Sequence, residues 1–190
     1  SVSCVAIAGE GLNMERDYDA DTRVYQSDLR PSDEIGRTAG LRAVERVNPR
    51  RPATGSYPVI YDERISSGLV GHFLSAINGA AITRGSSWLK DSLGKQVLPS
   101  TCKLVENPHR LRAGASRLFD SEGLATKKRE ILSKGVLNGW TLDLASARKL
   151  GMKPTANASR SVSSNPSPTN WNIELSSPED YCDNLLSDMS

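Results

Sequence analysis

A chain of 190 residues, 37% hydrophobic and 24% charged, has ordinary globular composition, which excludes a mainly disordered or low-complexity protein. Its formal net charge of +2 argues against a dedicated nucleic-acid binder, where a strongly basic face is expected. Three cysteines, Cys4, Cys102 and Cys182, lie far apart without a CxxC pair, which argues against a disulfide framework or a structural zinc site and fits reduced thiols in a cytoplasmic protein.

From Ser1 to Ala8 apolar and polar residues alternate, as in a strand. Gly9-Glu10-Gly11 signals a turn, and Met14 to Tyr25 is expected to return as the hairpin partner. Pro31-Ser32-Asp33-Glu34 then opens a helix, with Ser32 as the expected N-cap and the acids in the first turn. Ile35, Ala39, Ala43 and Val47, four apart, form its buried ridge, and Asn48-Pro49 ends it. A linker follows at 50–55, so residues 1–48 read as the end of one domain and residues 52–190 as a second.

In that second domain Tyr57 to Tyr61 reads as a short strand. Asp62 caps a helix expected to run to about Arg84, with Gly85 as terminator. Strands are predicted at Thr101 to Val105 and in a hairpin over Leu132 to Leu142, centred on Lys134-Gly135. Asp143 to Leu150 fits a helix ending at Gly151. The Ser/Asn/Pro-rich stretch 155–169 reads as loop, Asn170 to Leu175 as a last strand, and Ser177-Pro178-Glu179-Asp180 as the start of a last helix. The fold class is α+β: a mainly antiparallel sheet with one long central helix. No apolar run is long enough to span a membrane. The chain opens inside a strand pattern without a Met and reads as a piece of a longer protein. Aromatic residues are 5%, so the core must rest on Leu, Ile, Val and Ala.

The helix after Asp62 carries two ridges. Ile65, Leu69, Phe73 and Ile77 are apolar, whereas Ser67, Gly71, Ser75 and Gly79 are all very small. Glycine inside a helix costs about 1 kcal/mol relative to alanine, so its repetition asks for close approach of another backbone, in this fold or in a partner. His72 sits beside the small ridge; a lone helical histidine is as readily a packed side chain as a functional one.

Here the residues resemble the TldD/PmbA family of peptidases, also known as modulators of DNA gyrase, and most closely its PmbA (TldE) branch. The matching text comprises PATGSYPVIYD at 52–62, GLVGHFLSAINGAAITRG at 68–85, LKDSLG at 89–94, NPHR at 107–110, FDSEGLAT at 119–126, Gly135-Val136, LDLASARKLG at 142–151 and PSPTN at 166–170. The resemblance runs from about Met14 to the end, and implies that the family's N-terminal part and extreme C-terminus are absent here. In the TldD branch the corresponding helix carries HExxxH, in which two histidines hold zinc and the glutamate is the base. Here Ser67 stands at the first histidine and Gly68 at the glutamate; only His72, preceded by Gly71, remains. A hydroxyl is a poor zinc ligand and glycine has no base to offer, so no catalytic metal is expected in this chain.

Other candidates are weaker. Asp120 and Glu122, with Gly123, pair two carboxylates in a stretch that reads equally as a capped turn. By resemblance that segment lies near the family's cleft. Arg110, Arg112 and Arg117 could meet a carboxylate or phosphate, or be solvated loop residues. Lys127-Lys128-Arg129 is short for a nucleic-acid patch. From Arg84 to Lys134 there are 11 Lys/Arg against 5 Asp/Glu, whereas 171–190 holds 5 acids and no Lys or Arg. That asymmetry is either solvated surface or a basic rim guiding an acidic partner.

The resemblance implies a non-metal subunit of a cytoplasmic metalloprotease complex. Its expected partners are a zinc-bearing homologue, unfolded peptides or a second copy of the chain, with zinc on the homologue. Peptide maturation and turnover of small antitoxin-like proteins are the implied roles. Gly71, His72, Ser75, Gly79, Asp120, Glu122 and Gly123 are the groove or interface candidates. The alternatives are a non-proteolytic regulator acting on DNA gyrase, or an independent metal hydrolase built from His72, His109 and Cys102.

Overall fold

The computed structural model describes residues 1–177. They form two units, one of Ser1–Tyr57 with Arg112–Gly114, the other of Pro58–Leu111 with the chain from Ala115 onward.

In the first unit β1 (Val2–Ala8) and β2 (Glu15–Asp21) make the expected antiparallel hairpin, Val2 opposite Asp21 and Ala8 opposite Glu15. Strand β2 is shorter than predicted. It ends at Asp21, whose carboxylate turns to accept the backbone N–H of Arg30 at 2.9 Å. One face of the hairpin is exposed at Val5, Ile7 and Tyr18; the other buries Asp17, Asp19 and Asp21. Helix α1 (Ser32–Glu45) packs on β1 and β2 and buries Ile35, Ala39 and Ala43 as expected, while Val47 lies past its end. Its N-cap is Pro31, not Ser32, because the Pro31 carbonyl already accepts from Ile35 at 3.2 Å and so starts the helix one residue earlier.

Three buried aspartates on one strand face need cationic partners. Asp19 takes Arg30 at 2.8 Å and Arg42 at 3.1 Å, Asp17 takes Arg46 at 3.1 Å, and Asp21 takes Arg23 at 3.0 Å. Burial pushes the Asp19 carboxyl up, but the Arg30 hydrogen bond, the Ala20 N–H and the nearby guanidinium charges outweigh it and hold it below its ordinary value. Asp21 is likewise held down, first by the Arg30 N–H, against burial.

Residues 57–61, where the second unit begins, are not a strand. They are exposed, and no described strand pairs with them to satisfy their backbone. Helix α2 (Glu63–Ala76) starts at Asp62, whose side chain accepts the Arg64 N–H. The single long helix expected here is in fact two: α3 (Gly79–Arg84) follows a break at Ile77 and Asn78 and closes on Gly85 at φ +73°. Asn78 is extended and caps α3 through Ala80 N–H at 3.0 Å. The groups freed at the break are taken up by Thr141, whose carbonyl accepts from Gly79 at 2.8 Å and whose N–H donates to Ile77 at 3.0 Å.

Strand β3 (Lys103–Glu106) lies slightly later than predicted. Strands β4 (Arg129–Ser133) and β5 (Val136–Leu137) form the hairpin, whose turn residues Lys134 and Gly135 both have positive φ, +49° and +74°. Residues 138–142 lie outside it. Helix α4 (Leu144–Leu150) is capped by Asp143 and ends on Gly151 at φ +65°, as its sequence signals required. The stretch 155–169 is not wholly loop: β6 (Ala158–Ser159) and β7 (Ser167–Pro168) pair antiparallel within it. Strand β8 (Ile173–Ser176) completes an antiparallel sheet of order β5-β4-β3-β8. The expected last helix lies outside the described residues. Phe73, Ile77, Leu104, Ile131, Leu132 and Leu142 centre the core between the helices and this sheet. None of the described helices is long and apolar enough to cross a membrane.

Two expectations follow. A Cβ on Gly79 would lie 2.6 Å from Ser146 Oγ and 2.8 Å from the Thr141 carbonyl, whereas one on Gly71 meets nothing within 4 Å. Gly79→Ala should therefore cost ~1–3 kcal/mol in urea unfolding, and Gly71→Ala should be neutral or stabilising by up to about 1 kcal/mol; equal effects would contradict this packing. The depressed Asp19 and Asp21 carboxyls add stability that is complete above their unfolded value of 3.8 and is lost as pH falls through their lower folded values. The melting temperature should fall below about pH 4, and Asp19→Asn should make that fall shallower, as followed by circular dichroism.

Candidate functional site

The residues that the resemblance sets against the metal motif lie on α2. Ser67, Gly68, Gly71, His72 and Ser75 are all exposed, and the Ser75 hydroxyl donates back to the Gly71 carbonyl at 2.9 Å. The upper part of the apolar ridge, Ile65 and Leu69, is exposed as well, at 59% and 50%. The lower part, Phe73 and Ile77, is core. The small ridge therefore divides: Gly79 is buried beyond the helix break, and Ser67, Gly71 and Ser75 form an open face. Helix α2 is continuous from Glu63 to Ala76. Residues five apart in such a helix point about 140° apart, so Ser67 and His72 do not converge. A hydroxyl, a glycine and one diverging imidazole do not fit a zinc ion.

The other candidate donors do not repair this. His109 Nε2 lies 3.1 Å from Thr126 Oγ1 in a different loop. Among the described residues no three His, Cys, Asp or Glu side chains are grouped to hold a metal ion. Among the described residues His72, His109 and Cys102 are not brought together as a ligand set. Below α2, an apolar cavity of about 130 Å³ is lined by Leu69, Val70, Phe73, Leu98, Leu104 and Leu175. Leu175 belongs to β8, whose outer edge pairs with no described strand.

Asp120 and Glu122 are organisers of the loop rather than an acid–base pair. Asp120 is buried and accepts three backbone N–H groups: Glu122 at 3.0 Å, Leu124 at 2.9 Å and Ala158 at 3.0 Å. Glu122 accepts from Leu144 N–H at 2.8 Å, at the start of α4, where an anion suits the helix dipole. Gly123 has φ +80°, which the turn requires.

The three arginines fare differently. Arg112, in the first unit, is neutralised by Asp28 through two contacts of 2.7 Å. Arg110 is exposed. Arg117 lies with its guanidinium carbon 3.7 Å from the Trp171 ring centroid, and its buried Nε donates to nothing among the described residues.

One buried centre is absent from the sequence reading altogether. Glu106, 1% exposed, accepts from Arg129 Nε at 2.5 Å, Asn157 Nδ2 at 2.9 Å, Asn170 Nδ2 at 3.2 Å and Trp171 N–H at 2.6 Å. Arg129 in turn donates to the Trp140 carbonyl at 2.9 Å and to Thr141 Oγ1 at 3.1 Å. The one available signal was an acid closing a strand beside buried Leu104, too common a pattern to single it out.

Comparison with known proteins matches residues 54–190 to the PmbA/TldA metallopeptidase C-terminal domain. The metalloprotease PmbA of Escherichia coli O157:H7 is 42% identical over 158 residues, which cover 83% of this chain and 35% of that protein. The PmbA homologue of Haemophilus influenzae is 39% identical over the same shares. This chain thus spans about a third of the length of its curated relatives. The crystal structure of a protein described as a modulator of DNA gyrase from Bacteroides thetaiotaomicron superposes with a TM-score of 0.84 at 28% identity, covering 99% of this chain and 40% of that one. TldE of Thermococcus kodakarensis, at 16% identity, shares the fold with a TM-score of 0.69 over 96% of this chain and 42% of its own. With a family model over most of the chain and curated relatives of such identity, the chain belongs to the PmbA/TldD metalloprotease family.

Proposed function

We propose that this chain is part of the non-metal subunit of a cytoplasmic PmbA/TldD-type protease complex. It pairs with a zinc-bearing homologue and helps to build a cleft for small unfolded peptides. The observation that carries this reading is the family relationship combined with Ser67 and Gly68 at the ligand and base positions of an exposed, regular helix. The open face of Ser67, Gly71 and Ser75 supports it, because small side chains admit a neighbouring backbone closely. The edge of β8 that no described strand pairs with, beside an apolar cavity, suits a peptide added as a strand, which is paired by its backbone and so is sequence-tolerant. The free thiols of Cys4 and Cys102 are in keeping with a reducing compartment.

The structural relatives described as modulators of DNA gyrase favour a second reading, a non-proteolytic protein acting on that enzyme. DNA binding that weakens steeply with salt would support it over the protease.

Elemental analysis of the purified chain should find no stoichiometric zinc; one tightly held zinc per chain, lost on His72→Ala, would sink the proposal. Peptide cleavage should appear only when an HExxxH-bearing homologue is added, and should be abolished by chelators. Gly71→Leu separates fold from assembly. With open space at Gly71, the melting temperature should hold or rise, while association with the homologue or with peptide fails. Unchanged association would remove the α2 face from the interface.

A further inference from the structure

Arg117 is held in place more firmly than a loop arginine needs to be. Its N–H donates to the Pro108 carbonyl at 2.9 Å, and its carbonyl accepts from Thr126 Oγ1 at 2.6 Å. Its guanidinium rests on Trp171, itself immobilised at both ends: the backbone N–H on Glu106 at 2.6 Å and the indole Nε1–H on the Ala156 carbonyl at 3.0 Å. Trp171 is 3% exposed, so the platform is rigid. Yet Arg117 forms no ion pair or side-chain hydrogen bond among the described residues, and its Nε is buried without an acceptor. A cation stacked on an indole is attracted to the face of the ring, and the stacking keeps the donors of the planar fork at its edge.

The surroundings define what such a fork receives. No acidic side chain of the described chain answers this charge, and the adjacent Leu118 and Phe119 are 76% and 66% exposed. The segment is pinned from behind, because Asn172 Nδ2 donates to Ser116 Oγ at 2.7 Å and to the Asn107 carbonyl at 3.0 Å. A fixed, unneutralised guanidinium beside exposed apolar side chains matches a carboxylate flanked by apolar residues, since the fork meets a carboxylate through two parallel bonds. We propose that Arg117, presented by Trp171, is a carboxylate-binding site that recognises an acidic residue of a bound peptide. This rests on the peptide-handling reading above and adds to it a preference for acidic segments.

The test uses the 190-residue chain and a matched pair of short unstructured peptides, each with one leucine-flanked position that is glutamate in one and glutamine in the other. Binding is followed by tryptophan fluorescence and calorimetry at low salt. The glutamate peptide should bind ~10-fold more tightly, the discrimination expected of a charge-assisted pair. Arg117→Gln should abolish that preference. Arg117→Lys keeps the charge and stem but not the fork, and should cut the preference severalfold, which preserves the test if the glutamine variant is unstable. Equal affinity for the two peptides, or a preference that survives in both variants, overturns the proposal. So does a short single-stranded oligonucleotide that displaces the glutamate peptide at equal concentration, since it would make the group a phosphate receptor. Because the readout is binding by this chain alone, failure of the zinc-partner experiment leaves the result intact, and the reverse also holds.

Discussion

Glu106 is a charge in a place without water, and much of the second unit is arranged around keeping it satisfied. A carboxylate removed from solvent costs several kcal/mol unless opposing charge and donors surround it. Here the donors come from β4 (Arg129), from the segment before β6 (Asn157) and from the approach to β8 (Asn170 and Trp171). Segments far apart in sequence are thus tied to the end of β3. Arg129 extends the network to Thr141, and Thr141 holds the two sides of the break between α2 and α3. Losing any one member leaves a buried donor or acceptor unmet, and for this reason such networks respond as units.

That linkage places the candidate functional features. Asn78 turns the chain between α2 and α3 and also reaches the Pro168 carbonyl at 2.9 Å, so β7 is anchored to the same break. Helix α2 leaves this anchor with its last turns packed against the sheet and its first turns open. Its solvent face presents hydroxyls, glycines and a single histidine, with Ser67, Gly71, His72 and Ser75 all exposed.

Where local rules sufficed, the fold was legible. Alternation over VSCVAIA and the turn signal at Gly9-Glu10-Gly11 marked the first hairpin, Asp143 and Gly151 bracketed α4, and Lys134-Gly135 supplied the turn between β4 and β5. Where tertiary context decided, it was not. The four-residue spacing continues through Ile77, so nothing local announces a break whose backbone groups are met by Thr141, in the segment between β5 and α4. Tyr57 to Tyr61 has strand composition, but a strand needs a neighbour. The candidate site was legible in part: the spacing put Gly71, His72 and Ser75 on one open face, but Gly79 fell in the core and Asp120 and Glu122 went to backbone groups. Glu106 and the Arg117–Trp171 stack depend on partners scattered along the chain, which no window of sequence can assemble.

The row of aspartates on β2 has a consequence beyond holding α1 down. Alanine and isoleucine against a flat hairpin would let a helix slide or rotate at little cost. Arg42 lies in the last turn of α1, Arg46 caps its C-terminus and Arg30 sits just before it; each meets a particular carboxylate. Displacing the helix by a single turn would strand buried carboxylates without cations, a far steeper cost than any loss of apolar contact. The charged layer therefore acts as an indexing comb: it adds little net attraction, but it admits only one seating of the helix on its strands.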